Sequence, residues 1–408
     1  MNDKENSLPT GMEISMLNPD FRKCPDKFYD QLRSQAPVYQ DKGSDRVVLT
    51  RAREIGPFLN DRSFAVDPRK TRPTSILRKA LGVTENYRPN LAFMDDPDHR
   101  RIRGLVAAEF SPTAVEALRP KITRIAEDLM DQVSPLTHFD VMEAYAKPLP
   151  TLTISMILGL SEQDQRTLKE WSDAVLLRFD PKISEEQRSA LQLARSGLRD
   201  LFSEAIRKKR EQSEDDLVSR LLKANRRGEI EEIEIIELCE FLLVAGNLTT
   251  TDLIGNAVHA LLSNPAELLK LAENSDLASD VVEETLRFDP PVTSAIRVTT
   301  CPRNISGVQV EEGQSITALL MSANHDPELH PDPLRFDIER QNKKHYAFGG
   351  GSHFCIGAAL ARLEGEIAIP LLFRRFPTLK LSAHACPERR PIPSSSGWHE
   401  IWVQADPR

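Results

Sequence analysis

A lone cysteine that follows a run of glycines is the feature of this 408-residue sequence most able to do chemistry. Residues 348–357 read FGGGSHFCIG, and an alanine-rich segment of helical character comes next. Three consecutive glycines permit a tight turn in which Cβ atoms would clash. Cys355 would then lie at or just before a helix N-terminus, where the helix dipole and free N–H groups stabilise a thiolate. Such a thiolate suits one axial position on a metal, whereas a tetrahedral zinc site needs three more ligands; the alternative is a small buried hydrophobic residue.

Three basic residues are of the kind that hold the carboxylates of a ligand. His99 and Arg103 lie four residues apart in DPDHRRIR, so a helix there would place them one turn apart on one face. Arg297 ends the distant segment TSAIR. Directed donors that converge from separate elements make charge-assisted bonds to carboxylates. The alternative for each residue is an exposed basic side chain.

A long helix is predicted between Ile230 and Leu262, and it must position the residues at its centre. The helical pattern runs unbroken for ~33 residues, or ~50 Å. Its second half is apolar nearly all round, so the helix must pass through the interior. Gly246 and the β-branched Thr249 and Thr250 weaken the helix at mid-length.

The remaining pattern predicts a mainly α protein with small peripheral β-sheets. From about Ala52 to Asn274 the sequence is mostly helical in character. Short strand patterns bounded by turns occur at residues 37–50, 295–320, 378–382 and 400–404. There is no internal repeat or Gly/Ser-rich linker, and the 28 prolines are scattered. A single large domain over residues 1–408 is therefore predicted, with residues 1–20 poorly ordered.

Composition excludes several classes of protein. Apolar residues make up 40% of the chain and charged residues 28%, which is typical of a globular protein with a large core. The net charge of −8 argues against a nucleic-acid partner. The N-terminal residues carry charges and prolines where a signal peptide or membrane anchor would be apolar. Five cysteines without paired spacing indicate reduced thiols and a cytoplasmic location.

The ten-residue pattern around Cys355 matches the F-G-x-G-x-H-x-C-x-G signature of the cytochrome P-450 superfamily at every fixed position. From about Pro25 to Val403 the chain resembles a bacterial soluble member of that family in the order and spacing of its motifs. The resemblance implies the cytochrome P-450 fold, a single large domain with the long buried helix over the haem. It also implies that Cys355 is the thiolate ligand of the iron of haem b, with electron donation from sulfur favouring O–O cleavage.

The resemblance assigns further residues to the haem. Phe348 would pack beside the sulfur loop. His353 would reach a haem propionate, as would His99, Arg103 and Arg297. The implied cofactor-binding residues are His99, Arg103, Ala245, Gly246, Arg297, Phe348, Gly349, His353, Cys355 and Gly357.

Glu284 and Arg287 lie three residues apart. In isolation this spacing indicates a solvated surface ion pair that contributes little to stability. They open the segment ETLRFDPPV, 71 residues before Cys355, and resemble the family's E-x-x-R. By this resemblance the pair is structural and is completed by Arg335, in HPDPLRF. The trio would hold the segment that carries the cysteine loop.

AGNLTT, residues 245–250, resembles the family's A-G-x-[D/E]-T-[T/S]. The resemblance implies that the Thr249 hydroxyl hydrogen-bonds dioxygen; the alternative is a bond to a helix carbonyl. Leu248 replaces the family's acid and cannot relay a proton. Asp252 is the candidate replacement because it lies one turn further along the same face. Asn247 and Thr250 holding an ordered water is a second route, and a solvated or salt-bridged Asp252 without a catalytic part is the remaining alternative.

Substrate contacts are expected, by family position, from residues that are equally consistent with core packing. These are Phe93, Leu243, Val244, Asn247, Val292, Ala295, Ile296 and Trp398. Residues 69–88 carry six basic residues against one acid, Glu85. Such a charge run is typical of a solvated loop, and an anionic substrate is the alternative.

The predicted function is that of a haem-thiolate monooxygenase, which inserts one atom of O₂ into a small, largely apolar organic molecule. Because the sequence has no G-x-G-x-x-G fingerprint and no room for a flavin domain, electrons are expected from an external ferredoxin and its reductase. One alternative, motivated by Leu248, is a peroxygenase or rearranging enzyme that uses neither ferredoxin nor O₂. Another is a non-catalytic haem-based sensor. The protein is expected to be a monomer without a membrane anchor.

Overall fold

The computed structural model describes residues 8–406 apart from 42, 162, 166–167, 169–170, 172–173, 175–182 and 384–385. The α-helices with bounds in this part of the chain are α1 (Pro19–Lys23), α2 (Pro25–Gln35), α3 (Ala52–Asn60), α4 (Ile76–Ala80), α5 (Asp98–Val106), α6 (Pro112–Glu116), α7 (Arg119–Val133), α8 (Pro148–Leu158), α9 (Glu185–Glu211), α10 (Leu217–Arg226), α11 (Glu232–Ser263), α12 (Pro265–Glu273), α13 (Ala278–Phe288), α14 (Leu320–Asn324) and α15 (Ala358–Arg375). The strands are β1 (Val38–Asp41), β2 (Arg46–Leu49), β3 (His138–Asp140), β4 (Ser294–Val298), β5 (Arg303–Ile305), β6 (Val308–Val310), β7 (Ser315–Leu319), β8 (Lys380–Leu381) and β9 (Trp402–Gln404). The predicted mainly α class with small sheets is confirmed.

The chain groups into two compact units, each assembled from separate stretches of sequence. Unit 1 comprises Met1–Asp95, Glu283–Cys355 and Arg389–Ser396. Unit 2 comprises Asp96–Val282, Ile356–Glu388 and Gly397–Arg408. That the whole chain, residues 1–408, folds as one domain stays a prediction.

Unit 1 is organised around a four-stranded sheet with the strand order β1-β2-β7-β4. The strand pattern at residues 37–50 is confirmed, and its two strands form a hairpin in which β1 and β2 pair antiparallel with Val38 opposite Leu49. β7 then pairs parallel with β2 and antiparallel with β4. Val47, Leu49 and Ile316 form a buried core with Ile55 of α3. β5 and β6 form a separate two-stranded ribbon.

The N-terminal segment of unit 1 is packed from its first turns onward. Ile14 and Met16 are buried in one cluster with Tyr29 and Leu32. These two apolar side chains attach the segment to the rest of unit 1, and the expectation of poor order over residues 1–20 stays a prediction. Residues 1–7 lie outside the described residues.

Unit 2 is built on α11, which confirms the predicted long helix to within two residues at each end. A capping box opens it, in which the Glu231 N–H donates to the Glu234 carboxylate over 2.8 Å. Residues 250–258 are all buried, their polar side chains included, so this part of the helix passes through the interior as predicted. Gly255 allows a close approach, because a Cβ there would lie 2.6 Å from the Met142 Sδ of the π-helix Met142–Ala146.

Three local elements differ from the sequence-based expectation. β3 lies inside the stretch expected to be mostly helical, because its backbone pairs with β9, and tertiary pairing overrides local propensity. β5 lies in the gap between AIRVTT and GVQV, the first two of the three strand patterns at residues 295–320, the last of which is SITALLM. Leu320 and Met321 belong to α14 rather than to a strand. No helix in the described ranges is both long and apolar enough to cross a membrane.

Candidate functional site

The cysteine loop of unit 1 presents an exposed thiol on a tightly turned backbone. The Cys355 N–H donates to the Phe348 carbonyl over 3.0 Å, and Cys355 is exposed. Gly351 has φ +66°, and a Cβ there would lie 2.4 Å from the Leu59 carbonyl oxygen, so only glycine fits. α15 begins three residues after the cysteine, which confirms the predicted placement before a helix N-terminus. The loop can therefore offer one sulfur ligand to a metal.

Aromatic rings surround the base of this loop. Phe348 lies edge-on to Phe354, with ring centroids 6.1 Å apart, and Phe348 also contacts His345. His353 is half-buried at the end of a short 3₁₀ turn, Gly351–His353. Phe348 thus contacts an aromatic ring of the cysteine loop, and its role beside a bound cofactor stays a prediction.

Arg297 of β4 is a buried cation with little charge compensation. Its Nη1 donates to the Ile296 carbonyl over 3.0 Å. Burial lowers the pKa of the guanidinium from its ordinary value, and the charge of Asp95 opposes that shift. Asp95 is itself engaged by Lys70 at 2.8 Å and by the Val66 N–H at 2.8 Å. A further anion beside Arg297 would stabilise its charge, so this position fits a carboxylate ligand.

His99 and Arg103 lie on α5 of unit 2, one turn apart as the sequence predicted. His99 is buried, with its Nδ1 3.7 Å from an oxygen of Asp96. Arg103 is half-buried in the last turn of the helix. Arg297, Phe348, His353 and Cys355 belong to unit 1, whereas His99, Arg103, Ala245 and Gly246 belong to unit 2.

The middle of α11 has a partly open face. Val244, Ala245, Gly246, Asn247 and Thr249 are half-buried, although the helix is buried throughout its next two turns. The Thr249 Oγ1 donates to the Ala245 carbonyl over 2.8 Å, which is the alternative that the sequence left open. A half-buried stretch next to the fully buried residues 250–258 provides a surface that a ligand can contact.

Leu248 and Asp252 are both buried on α11. Leu248 is 8% exposed and Asp252 is 0% exposed. The alternative of a solvated Asp252 is therefore wrong, because no part of this side chain reaches the surface. The other alternative, a salt-bridged Asp252 without a catalytic part, stays open.

Glu284 and Arg287 form a buried ion pair in unit 1 and not the solvated pair that isolated spacing indicates. Both side chains are 0% exposed, and two hydrogen bonds of 2.7 and 2.8 Å join them. Arg287 also donates to the carbonyls of Asn324, Pro333 and Arg335. The pair thus ties α13 to the segment that precedes the cysteine loop.

The third member of this cluster is Arg340, and the prediction of Arg335 is wrong. The Arg340 Nε lies 3.3 Å from the Glu284 carboxylate, and its Nη atoms donate to the carbonyls of Pro331 and Arg335, among others. The Arg335 side chain is 63% exposed and lies 3.8 Å from Asp337. Arg335 contributes only its carbonyl, because the turn that carries it directs its side chain away from Glu284.

The candidate substrate residues differ in burial. Leu243 and Trp398 are buried. Trp398 stacks on His259 with ring centroids 4.0 Å apart, so packing alone accounts for its burial. The half-buried members are Phe93, Val244, Asn247, Val292, Ala295 and Ile296. Their contact with a substrate stays a prediction.

A second buried cluster in unit 1 was missed at the sequence level. Asp289 pairs with Arg389 at 2.8 Å and accepts a hydrogen bond of 2.6 Å from the Ser396 hydroxyl. The Ser396 N–H donates to the Pro291 carbonyl over 3.0 Å. These bonds fix the turn before Trp398 against the segment that contains Val292. No local signal reveals the pair, because its members lie 100 residues apart.

A family model for cytochrome P450 matches residues 71–399 of this chain. The chain belongs to the cytochrome P450 family. The biotin biosynthesis cytochrome P450 of Bacillus subtilis (strain 168) is 35% identical over 373 residues, which cover 90% of this chain and 93% of that relative. The 6-deoxyerythronolide B hydroxylase of Saccharopolyspora erythraea is 33% identical over 367 residues, covering 88% of this chain and 90% of that relative.

Solved structures agree with this assignment. The crystal structure of P450BioI in complex with hexadec-9Z-enoic acid ligated acyl carrier protein has a TM-score of 0.85 and 34% sequence identity, and covers 95% of this chain and 99% of that chain. The cytochrome P450 fold is therefore confirmed, and the chain is a cytochrome P450 monooxygenase.

A cytochrome P450 carries a haem-iron cofactor, and the residues of this P450 fit one. The exposed Cys355 thiol offers a single sulfur ligand. Arg297 is a buried cation that lacks a full counter-charge, as a propionate partner requires. Among the described residues, no group of three or more His, Cys, Asp or Glu side chains is placed to hold a metal ion.

Replacing Arg297 with glutamine is expected to weaken retention of the haem. Loss of a charge-assisted hydrogen bond from a buried group costs about 1.5–3 kcal/mol, or about ten- to a hundredfold in affinity. The rate of haem transfer to apomyoglobin measures this effect. Arg303→Gln is the control, because Arg303 lies 3.7 Å from Asp61 and over the Phe64 ring and has no assigned part in holding the haem. Equal transfer rates for the parent and Arg297→Gln would contradict the assignment.

Proposed function

We propose that this cytochrome P450 holds haem b through the Cys355 thiolate and inserts one atom of O₂ into a small, largely apolar organic molecule. The observation that carries the proposal is the exposed Cys355 on a glycine turn directly before α15. The bound haem supplies activation of O₂, with thiolate donation favouring O–O cleavage.

The chain's own residues hold and orient this group. The proposed propionate partners are Arg297, His99, Arg103 and His353, which would stabilise two carboxylates by charge-assisted bonds. Phe348 would shield the sulfur side of the loop, and Gly349, with φ +68°, allows its turn. Gly357 is the N-cap residue of α15. Ala245 and Gly246 present no long side chain on the open face of α11, so a flat ligand can approach the helix.

Thr249 and Asp252 are the proposed catalytic residues. The Thr249 hydroxyl donates to Ala245, and rotation about χ1 would let it donate to the oxygen substrate instead. Asp252 is a buried acid one turn from Leu248 and can hold a proton for delivery. Leu248 itself has no proton to give.

Electrons are proposed to come from an external ferredoxin and its reductase. The printed sequence contains no G-x-G-x-x-G fingerprint for a dinucleotide. We also propose that the protein is cytoplasmic and monomeric.

The deciding experiment supplies ferredoxin, reductase and NAD(P)H, and matches consumption of NAD(P)H and O₂ against product. A Soret-shift screen of apolar compounds provides the substrate. A monooxygenase forms product only with both O₂ and the electron source. Product formed from peroxide alone or without O₂ would support a peroxygenase or rearranging enzyme, and Soret shifts without turnover would support a sensor.

Wild-type turnover is expected to be slow and poorly coupled because of Leu248. Loss of a positioned proton donor costs about 10²–10⁴ in rate. We expect Leu248→Glu to raise the ratio of product to NAD(P)H consumed, and Asp252→Asn and Thr249→Ala to lower it. The solvent isotope effect is expected to be larger than in relatives that have the acid.

Leu248→Glu also tests the burial of the site. A carboxyl at this position would be desolvated and would hold its proton more strongly, which suits a donor. The carbon monoxide spectrum of each variant shows whether the haem site is intact. High wild-type coupling that neither Leu248→Glu nor Asp252→Asn changes would mean that Leu248 has no bearing on proton delivery.

An acyl chain attached to a carrier protein is a second candidate form of the substrate. Two observations favour it. The similar P450BioI was crystallised with an acyl carrier protein bearing hexadec-9Z-enoic acid. In this chain, residues 69–88 carry six basic residues and one acid, although the whole protein has a net charge of −8.

A further inference from the structure

We propose that residues 76–88 of unit 1 form a docking surface for an acidic carrier protein that brings the substrate as a bound acyl chain. This inference rests on the proposed monooxygenase function and adds a partner and a surface to it. We name residues 76–88 the basic segment. It contains Arg78, Lys79 and Arg88, with Glu85 as its one acid.

The cations of residues 69–88 divide into two groups in the structure. The first three are engaged by carboxylates: Arg69 pairs with Asp67 at 2.6 Å, Lys70 with Asp95 at 2.8 Å and Arg72 with Asp45 at 3.6 Å. The three cations of the basic segment have no carboxylate within ion-pair distance in the described part of the chain. Arg78 donates to the Arg69 carbonyl over 3.1 Å, a bond that leaves its charge uncompensated. Positive charge is therefore concentrated on the basic segment.

The residues just before the basic segment are held in place by hydrogen bonds to the sheet of unit 1 and to the turn before β7. The Arg72 N–H donates to the Gly313 carbonyl and its Nε to the Glu312 carbonyl, both over 3.0 Å. Ser75 is buried and lies 3.4 Å from the hydroxyl of Ser315 in β7. Residues beyond Ser75 thus extend from an anchored point on the sheet of unit 1.

The basic segment also has apolar side chains without a core to cover them. None of the residues of α4 (Ile76–Ala80) is buried, and Ile76 is 49% exposed. Lys79 and Arg88 are exposed, and Arg78 is half-buried. The basic segment thus combines an exposed apolar side chain with cations that lack a counter-charge. This combination suits an interface with a negatively charged protein surface.

The way in which the cations are distributed along the basic segment indicates a macromolecular partner. A site for a small anion brings buried donors together on one point, whereas these three cations are spread along 11 residues of chain, from the half-buried Arg78 to the exposed Arg88. Distributed exposed charge steers a large partner of opposite charge. A carrier protein with an acidic surface fits such a patch, and its acyl chain is the largely apolar substrate already proposed.

The test compares two double variants that change charge equally. Lys79→Glu/Arg88→Glu reverses two exposed cations of the basic segment. Lys121→Glu/Arg124→Glu is the matched control, because both residues are exposed cations on α7. The probes are acyl carrier protein loaded with hexadec-9Z-enoic acid and the same free acid, each titrated against the haem-loaded enzyme by calorimetry and Soret shift.

We expect the first variant to bind the loaded carrier protein about tenfold or more weakly, with a flatter salt dependence, while the control stays within about twofold of the parent. Binding of the free acid and the rate of reduction by ferredoxin should be unchanged in both variants. A parent that does not bind the carrier protein, or equal weakening in both variants, would overturn the proposal.

A fall in the ferredoxin reduction rate of the first variant alone would assign the basic segment to the redox partner and would also overturn the proposal. Turnover of free apolar compounds tests the monooxygenase function separately. The docking surface can therefore fail while that function stands.

Discussion

Replacement of Cys355 with alanine is expected to abolish the strongly red-shifted Soret band that reduced, thiolate-ligated haem gives with carbon monoxide. Alanine offers no ligand, and no other cysteine follows a glycine turn. Cys239 is fully buried within α11, where burial raises the pKa of its thiol and disfavours a thiolate. The carbon monoxide difference spectrum and the haem content of the purified variant measure the effect.

Two other cysteines provide matched controls for this experiment. Cys301 and Cys386 are exposed, as Cys355 is. Cys301→Ala and Cys386→Ala should each keep the thiolate band at parental intensity. A thiolate band of full intensity in Cys355→Ala would show that another residue holds the iron and would remove the basis of the proposed function.

The features that the sequence predicts well are those set by neighbours along the chain. The position of Cys355 before α15 follows from glycines whose positive φ angles no other residue adopts easily. The extent of α11 follows from its apolar circumference and from the capping box at Glu231. His99 and Arg103 share a face of α5 because a helix repeats every 3.6 residues.

Features decided by distant contacts were missed or misassigned. Arg335 and Arg340 both follow the same Pro-rich turn, and only the path of the backbone decides which guanidinium reaches Glu284. The pairing of β3 with β9 and of Asp289 with Arg389 joins residues that are far apart in sequence. Local propensity carries no information on such pairs.

Truncation of Arg287 is expected to destabilise the protein more than any other change in the buried cluster. In Arg287→Ala the Glu284 carboxylate, which is 0% exposed, loses the guanidinium that donates two hydrogen bonds to it. Removal of one partner of a buried ion pair costs about 3–5 kcal/mol. Urea unfolding of the haem-loaded protein, followed by circular dichroism, gives the change in the free energy of unfolding.

The same measurement on two further arginines decides which of them completes the cluster. Arg340→Ala removes a contact of 3.3 Å to Glu284 and bonds to the carbonyls of Pro331 and Arg335, so a loss of about 1.5–3 kcal/mol is expected. Arg335→Ala removes an exposed side chain and should change the free energy of unfolding by less than about 0.5 kcal/mol. The carbonyl of Arg335, which accepts bonds from Arg287 and Arg340, survives that substitution. If Arg335→Ala instead costs as much as Arg340→Ala, the assignment of the third position in the cluster to Arg340 in place of Arg335 is wrong.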